Sequence, residues 1–349
     1  MIQRFLTVNN TFSYSIRLGI VFSLLVILFS CKSDKEDLLG NWAKANDLSE
    51  FEGIARAGAV CATIGNVVYI AGGYDGENRL ADIWEYDLSS KFWVEKAKSS
   101  AVKPPARSKG IGFAADGKFY FGLGYDRNTK YNDLWAYDPA TDKWEKKADF
   151  PGTARYGAIA FTIGNIGYVG TGYDDNHLKD FWAYNPSTNT WEQKASLSGS
   201  KRRDAVAFVI GNKGYVVTGR GNENVNDFCC YDPSNDTWTS LRKISDATDD
   251  SFDDDYISIV RNCGVGFAVG GKGYVATGGS GGSGNTVWEY DPITDLWVEK
   301  TAFEGSGRGD AVAFVLNNVP YLALGNSGSR YFDDVWYFEP NAEYYEYDK

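Results

Sequence analysis

Six arginines recur along the chain, at Arg56, Arg107, Arg155, Arg202, Arg261 and Arg308. A guanidinium is a planar fork that grips a carboxylate through two parallel hydrogen bonds. A ring of six would make an anion site, for instance for an acidic sugar. The sequence also offers most of them an internal partner. Asp82, Asp133, Asp180, Asp227 and Asp334 fall at matching places in five of the six copies. Unpaired like charges ~10 Å apart repel by roughly 1–2 kcal/mol at an effective dielectric of 20, so pairing with these aspartates is expected. In the fifth copy Asn285 and Thr286 stand in that place, which leaves Arg261 the least compensated. Residues 245–256, just ahead of it, carry six aspartates that could reach Arg261 or gather a calcium ion. The glycine and terminal glutamate of an EF-hand loop are missing, and the plain reading is a solvated acidic loop.

Other chemistry is sparse. Six segments differ most between the copies, at 76–81, 126–132, 174–179, 221–226, 279–285 and 326–333. Their polar candidates for ligand contact are Arg79, Arg127, Lys130, His177, Arg220, Asn222 and Arg330. Glu77, Asp175 or Glu223 could act as a general base, but no spacing singles one out. His177 is the single histidine. Cys61, Cys229, Cys230 and Cys263 show no paired spacing, so they read as buried thiols rather than metal ligands or a redox pair. No phosphate loop, nucleophile elbow or metal-binding motif is present, and no cofactor or metal is expected.

The elements that position these residues come from one pattern written six times. After each arginine come two apolar runs of β type, a Gly-rich turn, a Trp-x-Tyr triplet, a turn and a second Trp. The first Trp slot holds Trp84, Trp135, Trp182, Cys229, Trp288 and Trp336. The second holds Trp93, Trp144, Trp191, Trp238 and Trp297. Side chains alternate along a strand, so both rings of Trp-x-Tyr share one face. Turns such as Asp138-Pro139-Ala140-Thr141-Asp142 supply Pro and Asx chemistry between strands. With 15% aromatic residues and 39 glycines, the composition suits short strands and tight turns rather than helices.

This spacing resembles the Kelch repeat, whose copies run to about 50 residues. The resemblance covers nearly the whole chain after its first segment. It implies an all-β fold: a six-bladed Kelch β-propeller of four-stranded antiparallel blades. Each blade is too exposed to stand alone and is covered by its neighbours in a ring. The sixth copy lacks its second Trp. Asn41-Trp42-Ala43-Lys44 matches that missing strand, so the ring is expected to close through the N-terminal strand. The competing closure uses 343–347, with Tyr345 in the Trp slot.

Residues 18–29 form a short apolar run preceded by Arg4 and Arg17, too short to span a bilayer and shaped like a signal peptide. Leu28-Phe29-Ser30-Cys31 resembles a bacterial lipobox, and the acids that follow resemble an export signal of Bacteroidetes-type lipoproteins. The expected organisation is a lipoprotein signal peptide at 1–30, lipidation at Cys31, a polar tether at 31–40 and the propeller at 41–349. That places the chain at the cell envelope, lipid-anchored, at the outer membrane and exposed on the surface. The net charge of −11 speaks against nucleic acid as a partner.

Kelch propellers include copper radical galactose oxidases and sialic acid epimerases. The first chemistry needs two histidine ligands, and one histidine rules it out. What the resemblance implies is therefore a non-catalytic binding module that holds a glycan or a protein partner on its loop face. The alternative is a sugar isomerase or mutarotase acting on an acidic sugar such as sialic acid.

Overall fold

The computed structural model describes residues 38–44, 50–279, 284–345 and 347. The expected signal segment and Cys31 lie outside the described residues. Six four-stranded antiparallel sheets stand in a ring. Their innermost strands, Val60–Ile64, Ile111–Ala115, Ile159–Ile163, Val206–Ile210, Val265–Val269 and Val312–Leu316, pack each against the next, and the sixth returns to the first. These strands carry small residues at alternate positions, such as Gly112, Ala160 and Gly266, which lets six of them converge on one axis. The aromatic residues lie farther out, between the blades. Phe113, Tyr120 and Tyr184 cluster in one such seam, and Tyr168, Phe181 and Tyr231 in the next.

The ring closes as the sequence suggests. Asn41–Lys44 is the outer strand of blade six and runs antiparallel to Val335–Glu339, with Trp42 opposite Phe338. Trp42 is fully buried and stacks on Phe338 at 4.4 Å, with Phe303 edge-on at 5.0 Å. Tyr345 does not fill that slot: it is exposed, and only its backbone N–H reaches Asn41 Oδ1.

Two circles of backbone hydrogen bonds tie the blades at the end where the long loops gather. In the first, the residue two places after each arginine donates its N–H to its counterpart in the preceding blade. Gly58, Lys109, Gly157, Asp204, Cys263 and Asp310 thus form a closed ring at 2.7–3.1 Å. All six are in the left-handed region, with φ between 51° and 65°. In the second, a glycine at or two residues beyond the end of each second strand, such as Gly124, donates to the arginine carbonyl of the next blade. At Gly124, with φ of 85°, a Cβ would meet the Ser108 carbonyl at 2.8 Å, so no side chain fits.

The Asx turns fasten the far end. Asp142 accepts a hydrogen bond from Tyr137 in its own blade and from the Ala97 N–H of the preceding segment. Asn189, Asp236 and Asp295 repeat the pattern.

Candidate functional site: the loop face

The six arginines sit inside the blades at 0–2% exposure. Arg155 represents the arrangement. Its Nε donates to the Thr153 carbonyl, its Nη1 to the Thr171 carbonyl, and its fork to both oxygens of Asp180. Trp182 Nε1 donates to the same carboxylate at 3.0 Å. Arg56, Arg107, Arg202 and Arg308 pair likewise with Asp82, Asp133, Asp227 and Asp334. Burial would raise the Asp334 carboxyl, but Arg308, Trp336 and Lys44 outweigh it and hold it below its ordinary value. These donors are spent on the fold, and the geometry brings none of the six to the channel mouth.

Arg261 is as buried as the rest but meets uncharged oxygens: the carbonyls of Ser258, Ile259, Thr277 and Thr286, and Thr286 Oγ1. Burial pushes its guanidinium down to about 10. Among the described residues, none of the aspartates of 245–256 pairs with Arg261, one of the two uses the sequence left open beside a solvated loop. Asp253 is buried and turns back on its own loop, accepting from the N–H groups of Ala247 and Thr248 and from Thr248 Oγ1.

The channel mouth lies two residues on. Lys109 crosses the neck from blade two and pairs with Asp204 of blade four at 3.2 Å and Asp310 of blade six at 3.0 Å. Its ammonium is also 3.4 Å from Cys263 Sγ of blade five. Burial alone would lower the lysine, but the two carboxylates carry it well above its ordinary value. Burial pushes the Cys263 thiol up. This bolt narrows the neck to a cavity of about 160 Å³, floored by Ala and Gly.

Around the bolt runs an arc of tyrosines and guanidinium groups. Arg79 lies 3.8 Å from the Tyr74 ring and 4.9 Å from Tyr125. Tyr125 packs on Tyr156 at 4.5 Å. Arg203 bridges Tyr156 and Tyr173, and its Nη1 donates to Tyr156 Oη at 2.6 Å. Tyr331 extends the arc beyond Tyr74, and His177 beyond Tyr173. The backbone holds the arc in place, since Tyr74, Tyr125 and Tyr173 bridge to the residues following Arg56, Arg107 and Arg155.

Of the residues expected in the variable loops, Arg79 and His177 join this arc. Lys130 pairs with Asp175 at 2.6 Å, and Arg330 lies over Phe332. Arg127, Arg220, Asn222, Glu77 and Glu223 are exposed. Burial, then Arg203 and Arg220, lower the His177 pKa and keep the ring neutral. The bolt and Arg203 were not among the expected residues. Their only sequence signal is a fixed offset from the repeated arginine. Cys229 and Cys230 are buried, Cys61 and Cys263 half-buried, and all four are free thiols.

Comparison with known proteins fits this geometry. Residues 40–153 match the KLHDC2/KLHL20/DRC7 Kelch-repeats domain, and residues 167–198 match the Kelch motif. The chain is a Kelch β-propeller. Kelch domain-containing protein 1 of Homo sapiens is 33% identical over 107 residues, 28% of this chain and 26% of that protein. The leucine-zipper-like transcriptional regulator 1 homolog of Drosophila melanogaster is 32% identical over 90 residues, 24% of this chain and 9% of that protein. These matches span about a quarter or less of either relative. The solved structure of YjhT superposes with a TM-score of 0.69 at 17% identity, covering 83% of this Kelch chain and 96% of that one, a likeness of fold. Kelch propellers typically mediate protein binding.

Proposed function

We propose that this Kelch propeller is a non-catalytic module that takes a protein partner on its loop face and is held at a bacterial envelope by lipid on Cys31. The tyrosine–guanidinium arc carries the reading. Tyr and Arg dominate the energetic centres of protein interfaces, because they bring large contact area and directed donors at low conformational cost. Here the rings are half-buried and fixed by backbone bridges, so little ordering is left for binding to impose.

Most carboxylates near the mouth are otherwise engaged, which weakens the isomerase alternative and leaves Glu77 and Glu223 as its exposed candidates for a base. Asp204 and Asp310 hold Lys109, and Asp175 holds Lys130. Asp75 and Asp126 accept N–H groups of their own turns.

The test is affinity capture from envelope extracts with the full chain as bait, followed by direct binding of the captured protein. Arg79→Ala together with Tyr74→Ala should weaken that binding at least tenfold, while Lys213→Ala on the opposite face leaves it unchanged. Equal effects from both would sink the loop-face assignment. Cys31→Ala should move the protein out of the membrane fraction, and unchanged fractionation would refute the anchor.

A further inference from the structure

Beyond the arc lies a second feature of the loop face. Between blades three and four is an open cleft of about 570 Å³, within the size range of small-ligand sites. One wall is the loop of blade three with Tyr173, Asp175 and His177. The other is the tight turn of blade four with Asn222 and Glu223, where the Gly221 N–H donates to the Glu223 carbonyl at 2.7 Å. Lys201 lines the connection between them.

The lining decides the ligand class. Val225 is its one aliphatic side chain, so burying an apolar ligand there would gain little. The walls instead present an ammonium, two carboxylates, three amides, a hydroxyl and a neutral imidazole. Among the described residues, the side chains of Lys201, Asn222 and Glu223 are not tied to other groups of the fold. Asp175 is already neutralised by Lys130. His177 lines the cleft, and its Nε2 is buried without a partner in the protein, a state that costs free energy. Burial and the neighbouring Arg203 and Arg220 keep that imidazole neutral, so it can donate or accept.

We propose that this cleft is a saccharide subsite, taking one or a few sugar residues whose hydroxyls satisfy His177, Asn222, Glu223 and Lys201. A polyhydroxylated ligand offers donors and acceptors at every edge, which is what a mixed polar wall without an apolar floor can use. Tyr173, which lines the cleft, supplies its aromatic contact. The site is separate from the protein-binding arc and shares with it only the Tyr173–His177 end.

The test is a saccharide array probed with the full chain, spanning neutral hexoses, N-acetylhexosamines and uronic acids. Titration of each hit should follow. Binding is expected to at least one class, and His177→Ala and Asn222→Ala should each weaken it at least tenfold. Circular dichroism of both variants checks the fold, and Glu223→Gln, an isosteric change on an exposed loop, provides a variant that folds in any case. Arg79→Ala should leave saccharide binding intact while weakening partner capture, so failure here and failure of the protein-binding reading appear in different assays. No binding to any class, or binding that all three cleft variants leave unchanged, would overturn the proposal.

Discussion

Two rings of six residues, two positions apart along the chain, are filled by opposite rules. The first is arginine six times over, buried, with a partner chosen inside the blade. The second is Gly58, Lys109, Gly157, Asp204, Cys263 and Asp310, where backbone geometry is identical and side chains are not. Sixfold repetition marks what every blade needs in order to exist. The residues that break it are free of that duty, and here they build a single bolt across the axis. Chemistry peculiar to this protein therefore belongs in the second ring and the loops above it.

The largest test of this contrast is Arg107→Ala. It leaves Asp133 partly buried beside Trp135 without its cation, and breaking such a pair costs about 3–5 kcal/mol. Urea unfolding of the full chain should show a loss of that size. A loss under ~1 kcal/mol would mean that the arginine is dispensable to its blade and would reopen a ligand role.

Lys109→Met comes next. The reacting oxygens and sulfur of Asp204, Cys263 and Asp310 lie within 4.8 Å of one another. Without the ammonium, two carboxylates at that separation repel by about 3 kcal/mol at an effective dielectric of 20. Lys109 and Asp310 are 19% and 24% exposed, so screening reduces the observed loss to about 1–2 kcal/mol. The pH dependence is the sharper readout. Protonating either acid relieves the repulsion, so the variant should regain stability as pH falls from 7 toward 4. The parent should show no such gain over that range and should lose stability only in stronger acid. The Asp334 carboxyl is held below its ordinary 3.8, so the stability it adds is present above that value and lost as pH falls through the lower, folded one. A variant whose acid profile parallels the parent's would show that the bolt carries no electrostatic load.

The sequence made the first ring legible and hid the second, for one reason. Six aligned copies expose any residue type that recurs, so the arginines, their aspartates and the Trp-x-Tyr faces stood out. Trp42 was legible because the sixth copy lacked its second Trp. Lys109 and Arg203 occur once each at their offsets, and a single lysine in an acidic chain gives no period to read. The role of Lys109 comes from the axis, which brings it within 3.2 Å of residues 95 and more positions away, and that of Arg203 from the seam between neighbouring blades, where it meets Tyr156. The inward turn of Asp253 in the acidic insertion was not legible, because it finds N–H donors inside its own loop, a local solution that composition does not reveal.

Blade five offers the finest distinction, because it keeps the repeated arginine and drops the aspartate. Thr286→Asp restores the missing acid where Thr286 Oγ1 already accepts from Arg261 Nη2 at 2.7 Å. The expected gain is small, under about 1 kcal/mol, since the attraction of a buried pair is largely offset by the desolvation of both charges. The coupling is larger than the gain. In the parent, Arg261→Leu removes hydrogen bonds to neutral oxygens and strands no carboxylate, so it should cost less than Arg308→Leu, which strands Asp334. Placed on the Thr286→Asp background, Arg261→Leu should become costlier by about 0.5–3 kcal/mol, the range found for groups in one network. A double-mutant cycle measured by urea unfolding reads that difference directly. Zero coupling would mean that blade five has rebuilt its corner around Thr286 and no longer holds a vacant aspartate position, so the rule drawn from the other five blades would stop short of the sixth.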